Sequence, residues 1–587
     1  MSNTNNERLQ DFTRLAESLG TPIIKRGVLQ HYFVSPVLPM EPLTLSKIAD
    51  AWRRLAANIK AAKAPELLSL YIHIPFCTHK CKYCIYHSIG DFDPADLEAY
   101  LARLHAEIDF YSSIFEGIGF VTCYIGGGTP TVLDEEQLER LLSHIDKAFK
   151  RKRGGEWAFE GNPLTATESK ARIFESHGFN RVSFGVQTLN SKALDNVNRG
   201  YQSTERVVET LKIMQACRLW VNVDLIHGLP QDSFESMALS LTKILEHDPT
   251  QVTVYGLSPY TPAEVRPSQL PSMEATVAHL KDLAEKTGYE INLLSTCFDL
   301  IKKSCNNRLE EEIRSAERGF VYDDTTVEPF SLLGIGPTAR SYVYGQMRLT
   351  FDKYPVDSPF DPHVNCARGR EITMDEERRR YIVHRLESSE GLRPVKYTEF
   401  FGEGLAGSFS QELQILFDLG LLREQAGSIV HVSDDPTVRF AAELFFVDPE
   451  MIDASRQDTK TEKSDSEGRP QLPQGSEELH RLRIEGPGID LTLNIAEYWP
   501  DRPCFHYAGK YAFFIPSELP EGTCQHNPGE EWCLSSFRQL FDKVVESEAP
   551  NSLAELQNAL LAGGTRHLFN APPNQAPVPI ILSATFE

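Results

Sequence analysis

Three cysteines within eight residues constrain this chain more than any other feature. They lie in Tyr71-Ile-His-Ile-Pro-Phe-Cys77-Thr-His-Lys-Cys81-Lys-Tyr83-Cys84, directly after an apolar run. The spacing C-x3-C-x2-C presents three thiolates from one short loop. Cysteine thiolates are the ligands of iron–sulfur clusters. Three of them suit a [4Fe-4S] cluster and leave one iron without a protein ligand, open to a small molecule and able to pass it an electron. A zinc site completed by His79 or His87 is the alternative these residues allow. Nothing at the N-terminus resembles a secretory signal, so a cytoplasmic, reducing setting is expected and disulfides are not.

Further along, Gly126, Gly127 and Gly128 end a strand-like run at 120–125. Residues without a Cβ let the backbone approach a ligand closely. Glu160 ends a second run, 157–159, and so places a carboxylate at a strand end. Asp224 sits among β-branched residues at 221–226, a costly position for an acid without partners. A structural hydrogen bond and a ligand contact are both open readings for it.

In order, these motifs resemble the radical S-adenosylmethionine (SAM) enzymes, in the branch of the oxygen-independent coproporphyrinogen III oxidases. The resemblance runs from Tyr71 to about Tyr342 and more weakly to Phe446. Its motifs are the cysteine loop, Tyr124-Ile-Gly-Gly-Gly-Thr-Pro130, Phe159-Glu-Gly-Asn-Pro163, Arg181-Val-Ser-Phe-Gly-Val-Gln187, Asn198-Arg-Gly200, Val223-Asp-Leu-Ile-His-Gly-Leu-Pro230 and Leu333-Gly-Ile-Gly336. The resemblance implies that Tyr71, Tyr83, Gly127, Gly128, Thr129, Glu160, Gln187, Arg199 and Asp224 surround two S-adenosylmethionine molecules. The first would ligate the open iron, and the second would lie near Gln187, Arg199 and Asp224. Arg199 would pair a carboxylate of the second by a bidentate contact. It further implies that the cluster reduces the sulfonium to release methionine and a 5′-deoxyadenosyl radical, with a low-potential flavodoxin or ferredoxin as electron donor.

The chain has 587 residues, too many for one ordinary core. Strand-like runs at 68–74, 120–125, 157–161, 181–186, 221–227 and 252–257, each followed by a helical stretch, predict parallel β/α units. The fold expected is α/β, a partial (β/α)6 barrel, with sites at the carboxyl ends of the strands. Residues 1–66 are expected to form a helical extension, 67–370 the barrel and a connecting segment, and 371–450 a winged-helix-like cap. A polar linker (451–479) and an extra α+β domain (480–587) would follow, with helices at 534–546 and 553–561. Cys504, Cys524 and Cys533, near His506 and His526, read as single structural thiols rather than a metal site. No run approaches the length of a membrane helix, and a net charge of −23 argues against nucleic acid as a partner.

Within the branch, the substrate separates the members. The oxidases proper carry a further Cys two residues beyond the third cluster Cys, where this chain has Tyr86. Haem-chaperone members lack that Cys but carry a His-Asn-x-x-Tyr-Trp stretch that 291–342 does not contain. Tyr86, the retained trio Gln187, Arg199 and Asp224 and the extra C-terminal segment point instead to a two-cofactor enzyme that methylates or cyclopropanates an sp2 carbon of an unsaturated small molecule. Coproporphyrinogen decarboxylation and non-catalytic haem binding are the alternatives. Arg340, where relatives tend to have His or an aliphatic residue, is a candidate for pairing an acidic substrate group or a neighbouring carboxylate.

Overall fold

The computed structural model describes residues 2–19, 40–257, 261, 273–293, 297–303, 328–353, 355, 358–388, 390–433, 435–452 and four strands between 479 and 586. In chain order the strands of the large sheet are β1 (Glu41–Thr44), β2 (Leu68–Ile74), β3 (Thr122–Gly127), β4 (Trp157–Gly161), β5 (Arg181–Gln187), β6 (Trp220–His227), β7 (Gln251–Gly256), β8 (Tyr289–Leu293), β9 (Cys297–Lys302), β10 (Ser331–Ile335), β11 (Arg340–Val343), β12 (Met347–Phe351) and β13 (Asn365–Glu371). Their order is β1-β13-β12-β11-β10-β2-β3-β4-β5-β6-β7-β9-β8. All six strands expected from the apolar runs are present and pair in parallel, and β10 adds a seventh parallel strand beside β2. Antiparallel strands extend the sheet on both flanks. This is the partial-barrel radical SAM α/β fold.

One side of the sheet is sealed by helices. Helix Leu45–Lys60 illustrates why: Leu45, Ile48, Ala49, Trp52, Leu55, Ala56 and Ile59 recur at helical spacing and are buried, and Thr44 caps its N-terminus by accepting from Lys47 N–H. Trp52 is fully buried against Phe115, with ring centroids 5.4 Å apart. Burial of such a side chain stabilises by about 1.5–3 kcal/mol. The other side carries the polar residues. Tyr71 and Tyr124 are in register, as are Glu160 and Ser183, Ser183 and Asn222, and Gly185 and Asp224. Because side chains alternate along a strand, the helix-facing residues between them are the apolar ones, such as Ile72, Phe159, Val182 and Val223.

After β13 come helices Met374–Glu387, Pro394–Phe401 and Leu405–Asp418, then a hairpin of Leu422–Gln425 with Ser428–His431. Their core also takes in Phe12, Leu15 and Ala16 of the first helix, Ser2–Leu19, with Phe12 edge-on to Phe445 at 5.0 Å. Glu377 ties this part to the sheet. It accepts from Tyr342 Oη at 2.8 Å and Gly345 N–H at 2.9 Å, and pairs with Arg380 at 3.2 Å. Both charges of that pair are fully buried, which the hydrogen bonds from strand and turn make tolerable.

A second unit, Thr459–Glu587, is described through strands Leu479–Gly486, Ile489–Asn494, Arg566–Asn570 and Val578–Phe586, which form one antiparallel sheet. The first two strands lie where apolar alternation at 482–495 predicts them. The linker expected at 451–479 is shorter at both ends, because Met451 and Ile452 are buried with the preceding helices and Leu479 opens a strand. Residues 453–478, the helices expected at 534–546 and 553–561, and Cys504, Cys524, Cys533, His506 and His526 lie outside the described residues. No helix among the described residues is long and apolar enough to cross a membrane.

Candidate functional site

The loop after β2 is pinned from several sides. Cys77 N–H donates to Ile89 O at 2.9 Å, and Ile89 N–H donates to Pro75 O at 2.6 Å. Lys82 N–H reaches Val197 O at 3.3 Å, and Asn198 Nδ2 donates to Lys80 O at 2.8 Å. Asn198 takes φ of +62°, a conformation Asn adopts more readily than most residues. Cys77, Cys81 and Cys84 are partly exposed, whereas Cys123, Cys217 and Cys366 are buried. Two of the three loop thiols meet a donor: Thr129 Oγ1 lies 3.4 Å from Cys77 Sγ, and an Arg199 guanidinium N–H lies 3.5 Å from Cys81 Sγ. Burial pushes the Cys77 thiol up, and Cys84 up to about 11. Loading a metal centre therefore has to displace protons.

Beside the loop, the glycine run of β3 is stitched to it by Gly128 N–H to Ile74 O at 2.7 Å and Thr129 N–H to Phe76 O at 2.8 Å. Glu160 closes this corner, accepting from Tyr124 Oη at 2.9 Å and Gly127 N–H at 3.1 Å. Burial nevertheless raises its carboxyl to about 7, despite those two donors. Asp224 accepts from Ser183 Oγ at 2.7 Å and Asn222 Nδ2 at 2.8 Å, and burial raises it to about 6. Tyr71 Oη meets His73 Nδ1 at 3.0 Å, and its ring stacks on Tyr124 at 6.3 Å.

Gln187 and Arg199 converge at a bulge in β5, where the pairing with β6 skips a residue between Gly185 and Gln187. Gln187 has φ of +71°, and a Cβ on Gly185 would stand 2.6 Å from its Nε2. Arg199 donates to Gly185 O, to Gln202 Oε1 at 3.0 Å and toward Tyr83 Oη at 3.3 Å. Tyr86 is 67 % exposed, and the titratable groups Glu160, Cys84, Arg340 and Asp224 act electrostatically on its hydroxyl. Arg340 opens β11 and is exposed.

The motif residues are thus brought to one end of the parallel strands and the loops that follow. Tyr124, His73, Ser183 and Asn222 are additional members not singled out in the sequence. Their signal is period 2: His73 follows Tyr71, and Tyr124 precedes Gly126, each by two positions on the same face.

The residues fit the group the motifs imply. A Cβ on Gly128 would stand 2.5 Å from Phe76 O, and one on Gly126 3.0 Å from Glu160, so the glycines leave a side-chain-free cradle. Arg199 Nε and Thr78 Oγ1 are buried without a partner among the described residues, poised for an added acceptor. Among those residues, no three His, Cys, Asp or Glu side chains are placed to hold a single metal ion.

Residues 71–243 match the Radical SAM superfamily model. The chain is 30 % identical over 207 residues to the haem chaperone HemW of Buchnera aphidicola, a match covering 35 % of this chain and 55 % of that protein. With the oxygen-independent coproporphyrinogen III oxidase of Salmonella typhimurium it shares 28 % identity over 382 residues, covering 62 % and 81 %. The Escherichia coli coproporphyrinogen III oxidase structure superposes with a TM-score of 0.54 at 24 % identity, covering 68 % of this chain and 93 % of that one.

These relatives overturn the expectation of methylation or cyclopropanation, because they are named as coproporphyrinogen III oxidases and haem chaperones. The physical reason for the misreading lies in Gln187, Arg199 and Asp224. All three are engaged by the fold itself, through the β5 bulge, the Gly185 carbonyl and the Ser183–Asn222 pair. Their presence therefore does not select one-carbon transfer. Radical SAM proteins use a [4Fe-4S] cluster and S-adenosylmethionine, and residues 71–243 of this chain, which carry the cysteine loop, the glycine run, Glu160, Gln187, Arg199 and Asp224, match that superfamily.

Proposed function

We propose that the chain is an oxygen-independent oxidase of a coproporphyrinogen, the activity its oxidase relatives are named for, and that the oxidation is a decarboxylation of the propionate arms. The observation that supports this most is the match to the Salmonella oxidase, which extends over 81 % of that protein rather than over the cysteine-loop domain alone. Cys77, Cys81 and Cys84 would hold the [4Fe-4S] cluster. When bound, cluster and cofactor supply hydrogen-atom abstraction from an unactivated carbon.

The chain's own residues bind, orient and exclude water. Gly127, Gly128 and Thr129 admit the cofactor's methionine end to the side-chain-free edge of β3, while Glu160 accepts its ribose hydroxyls. Hydrogen bonds from a diol favour the ionised form of Glu160, which burial alone disfavours. Tyr71 and Tyr83 flank the loop. Gln187, Arg199 and Asp224 would hold a second S-adenosylmethionine. For each propionate, a hydrogen atom leaves the β-carbon, the bond to the carboxylate breaks to release CO2, one electron passes to a one-electron acceptor, and a vinyl group remains. A low-potential flavodoxin or ferredoxin would reduce the cluster.

The test is anaerobic incubation of the reconstituted protein with coproporphyrinogen III, S-adenosylmethionine, dithionite and a one-electron acceptor, followed by mass spectrometry. Vinyl products supports the reading; intact substrate beside a reducible cluster refutes it. Haem binding is the second reading, favoured by Tyr86 in the place where the oxidases carry a further Cys. It expects a stable haem complex and no vinyl product.

A further inference from the structure

The antiparallel flank β10–β13 continues the cofactor-bearing sheet and carries its own charge pattern. On β11, Tyr342 packs with Tyr124, Leu332 and Phe330, so it faces the cofactor side, while Val343 joins the helix-covered core. Arg340, two residues before Tyr342, faces the same side. The pairing carries this face outward: Arg340 is opposite Thr350, and Thr350 is opposite Arg368. One row thus holds Arg340, Thr350 and Arg368, with the two arginines about 10 Å apart across two strand spacings.

The row abuts the site. Gly334 is in register with Tyr71, and a Cβ on it would stand 2.1 Å from the Arg340 carbonyl, so the two backbones touch where no side chain intervenes.

The adjacent row behaves differently. Arg348 is buried and opposite Tyr342, whose hydroxyl goes to Glu377, and Arg370 is paired with Glu376 at 2.7 Å. Arg370 is thus neutralised by helix Met374–Glu387, and Arg348 is withdrawn from solvent. Arg368, by contrast, is exposed and forms no ion pair among the described residues. A chain with net charge −23 repels anions over most of its surface, so an exposed arginine row beside the reaction site is a local exception that favours an anionic ligand.

We propose that Arg340 and Arg368 form a carboxylate-binding row that receives the propionate arms of a tetrapyrrole, presenting its ring to Tyr71 and Tyr86. This deepens the functional reading above and rests on it for the ligand class. The planar fork of arginine suits carboxylates, and two forks on one sheet face select a ligand with at least two acidic arms.

The test titrates the full chain with coproporphyrin III, and with its tetramethyl ester, which keeps the ring but removes the charges, by fluorescence. The wild type is expected to prefer the free acid. Arg340→Gln and Arg368→Gln should each weaken the acid by about tenfold or more and leave the ester unchanged, with Arg368→Lys recovering part of the loss. Unchanged acid affinity in either glutamine variant, or an equal loss for the ester, overturns the row. If the wild type binds the acid through these arginines yet releases no CO2 from coproporphyrinogen, the row stands and the decarboxylase reading falls. Decarboxylation with unaltered binding in both variants is the reverse result.

Discussion

The guanidinium of Arg199 stands 3.5 Å from Cys81 Sγ while the same side chain is anchored to Gln202 at 3.0 Å and to the Gly185 carbonyl. One buried cation thus couples the cluster loop to the bulge of β5. Hydrogen bonds to ligand sulfurs tune cluster potential. Replacing Arg199 by Met should leave iron content intact, because all three cysteines remain, and lower the midpoint potential of the cluster. Potentiometric titration followed by EPR checks this. An unchanged potential removes Arg199 from the cluster's surroundings.

Glu160 and Asp224 make stability depend on pH. Burial raises their folded-state values to about 7 and about 6, above those of the unfolded chain. For a carboxyl raised on folding, the native state binds more protons than the unfolded one between the two values. The contribution is full below about pH 4 and is lost as pH rises through about 7. Unliganded protein should therefore lose Tm between pH 5 and 8, and Glu160→Gln should lose less over that range. Parallel slopes for the two proteins would show that Glu160 is not the titrating group.

Gly128 has no room for a methyl group, since its Cβ would stand 2.5 Å from the Phe76 carbonyl on the cluster loop. Backbone cannot yield as a flexible side chain does. Gly128→Ala should cost about 1–3 kcal/mol and weaken S-adenosylmethionine binding more than tenfold, read by thermal melting and equilibrium dialysis. Gly117→Ala, where nothing lies within 4 Å but φ is +78°, controls for backbone strain alone; it should lower Tm without changing cofactor affinity.

The parallel strands were legible because they are short apolar, β-branched runs separated by helical periods. Their ends were less so. The run 120–125 stops before the glycines, yet Gly126 and Gly127 pair with His73 and Ile74 and extend the strand. These glycines continue the ladder because pairing satisfies their backbone while no side chain fills the cradle. The flank β10–β13 was not legible as sheet. Its arginines alternate with apolar residues, a half-buried pattern whose partner strands depend on long-range pairing, such as Leu43 with Ala367.

The candidate site was legible as far as its motifs reach. Cys77, Cys81, Cys84, Glu160 and Asp224 carried their own chemical signal. Tyr124 and Asn222 did not, since their roles arise from register: each reaches an acid that neighbours it only in the folded sheet, or two positions along the same strand face. The reaction was misread because Gln187, Arg199 and Asp224 serve the fold as well as any ligand.

The most direct test of the account follows a single hydrogen atom. Coproporphyrinogen III deuterated at the propionate β-carbons is incubated anaerobically with the reconstituted protein, S-adenosylmethionine, dithionite and a one-electron acceptor, and the 5′-deoxyadenosine formed is weighed by mass spectrometry. The account predicts one deuterium in 5′-deoxyadenosine and one CO2 released for each turnover. 5′-Deoxyadenosine without deuterium, or its absence from a protein with a full and reducible cluster, would contradict it.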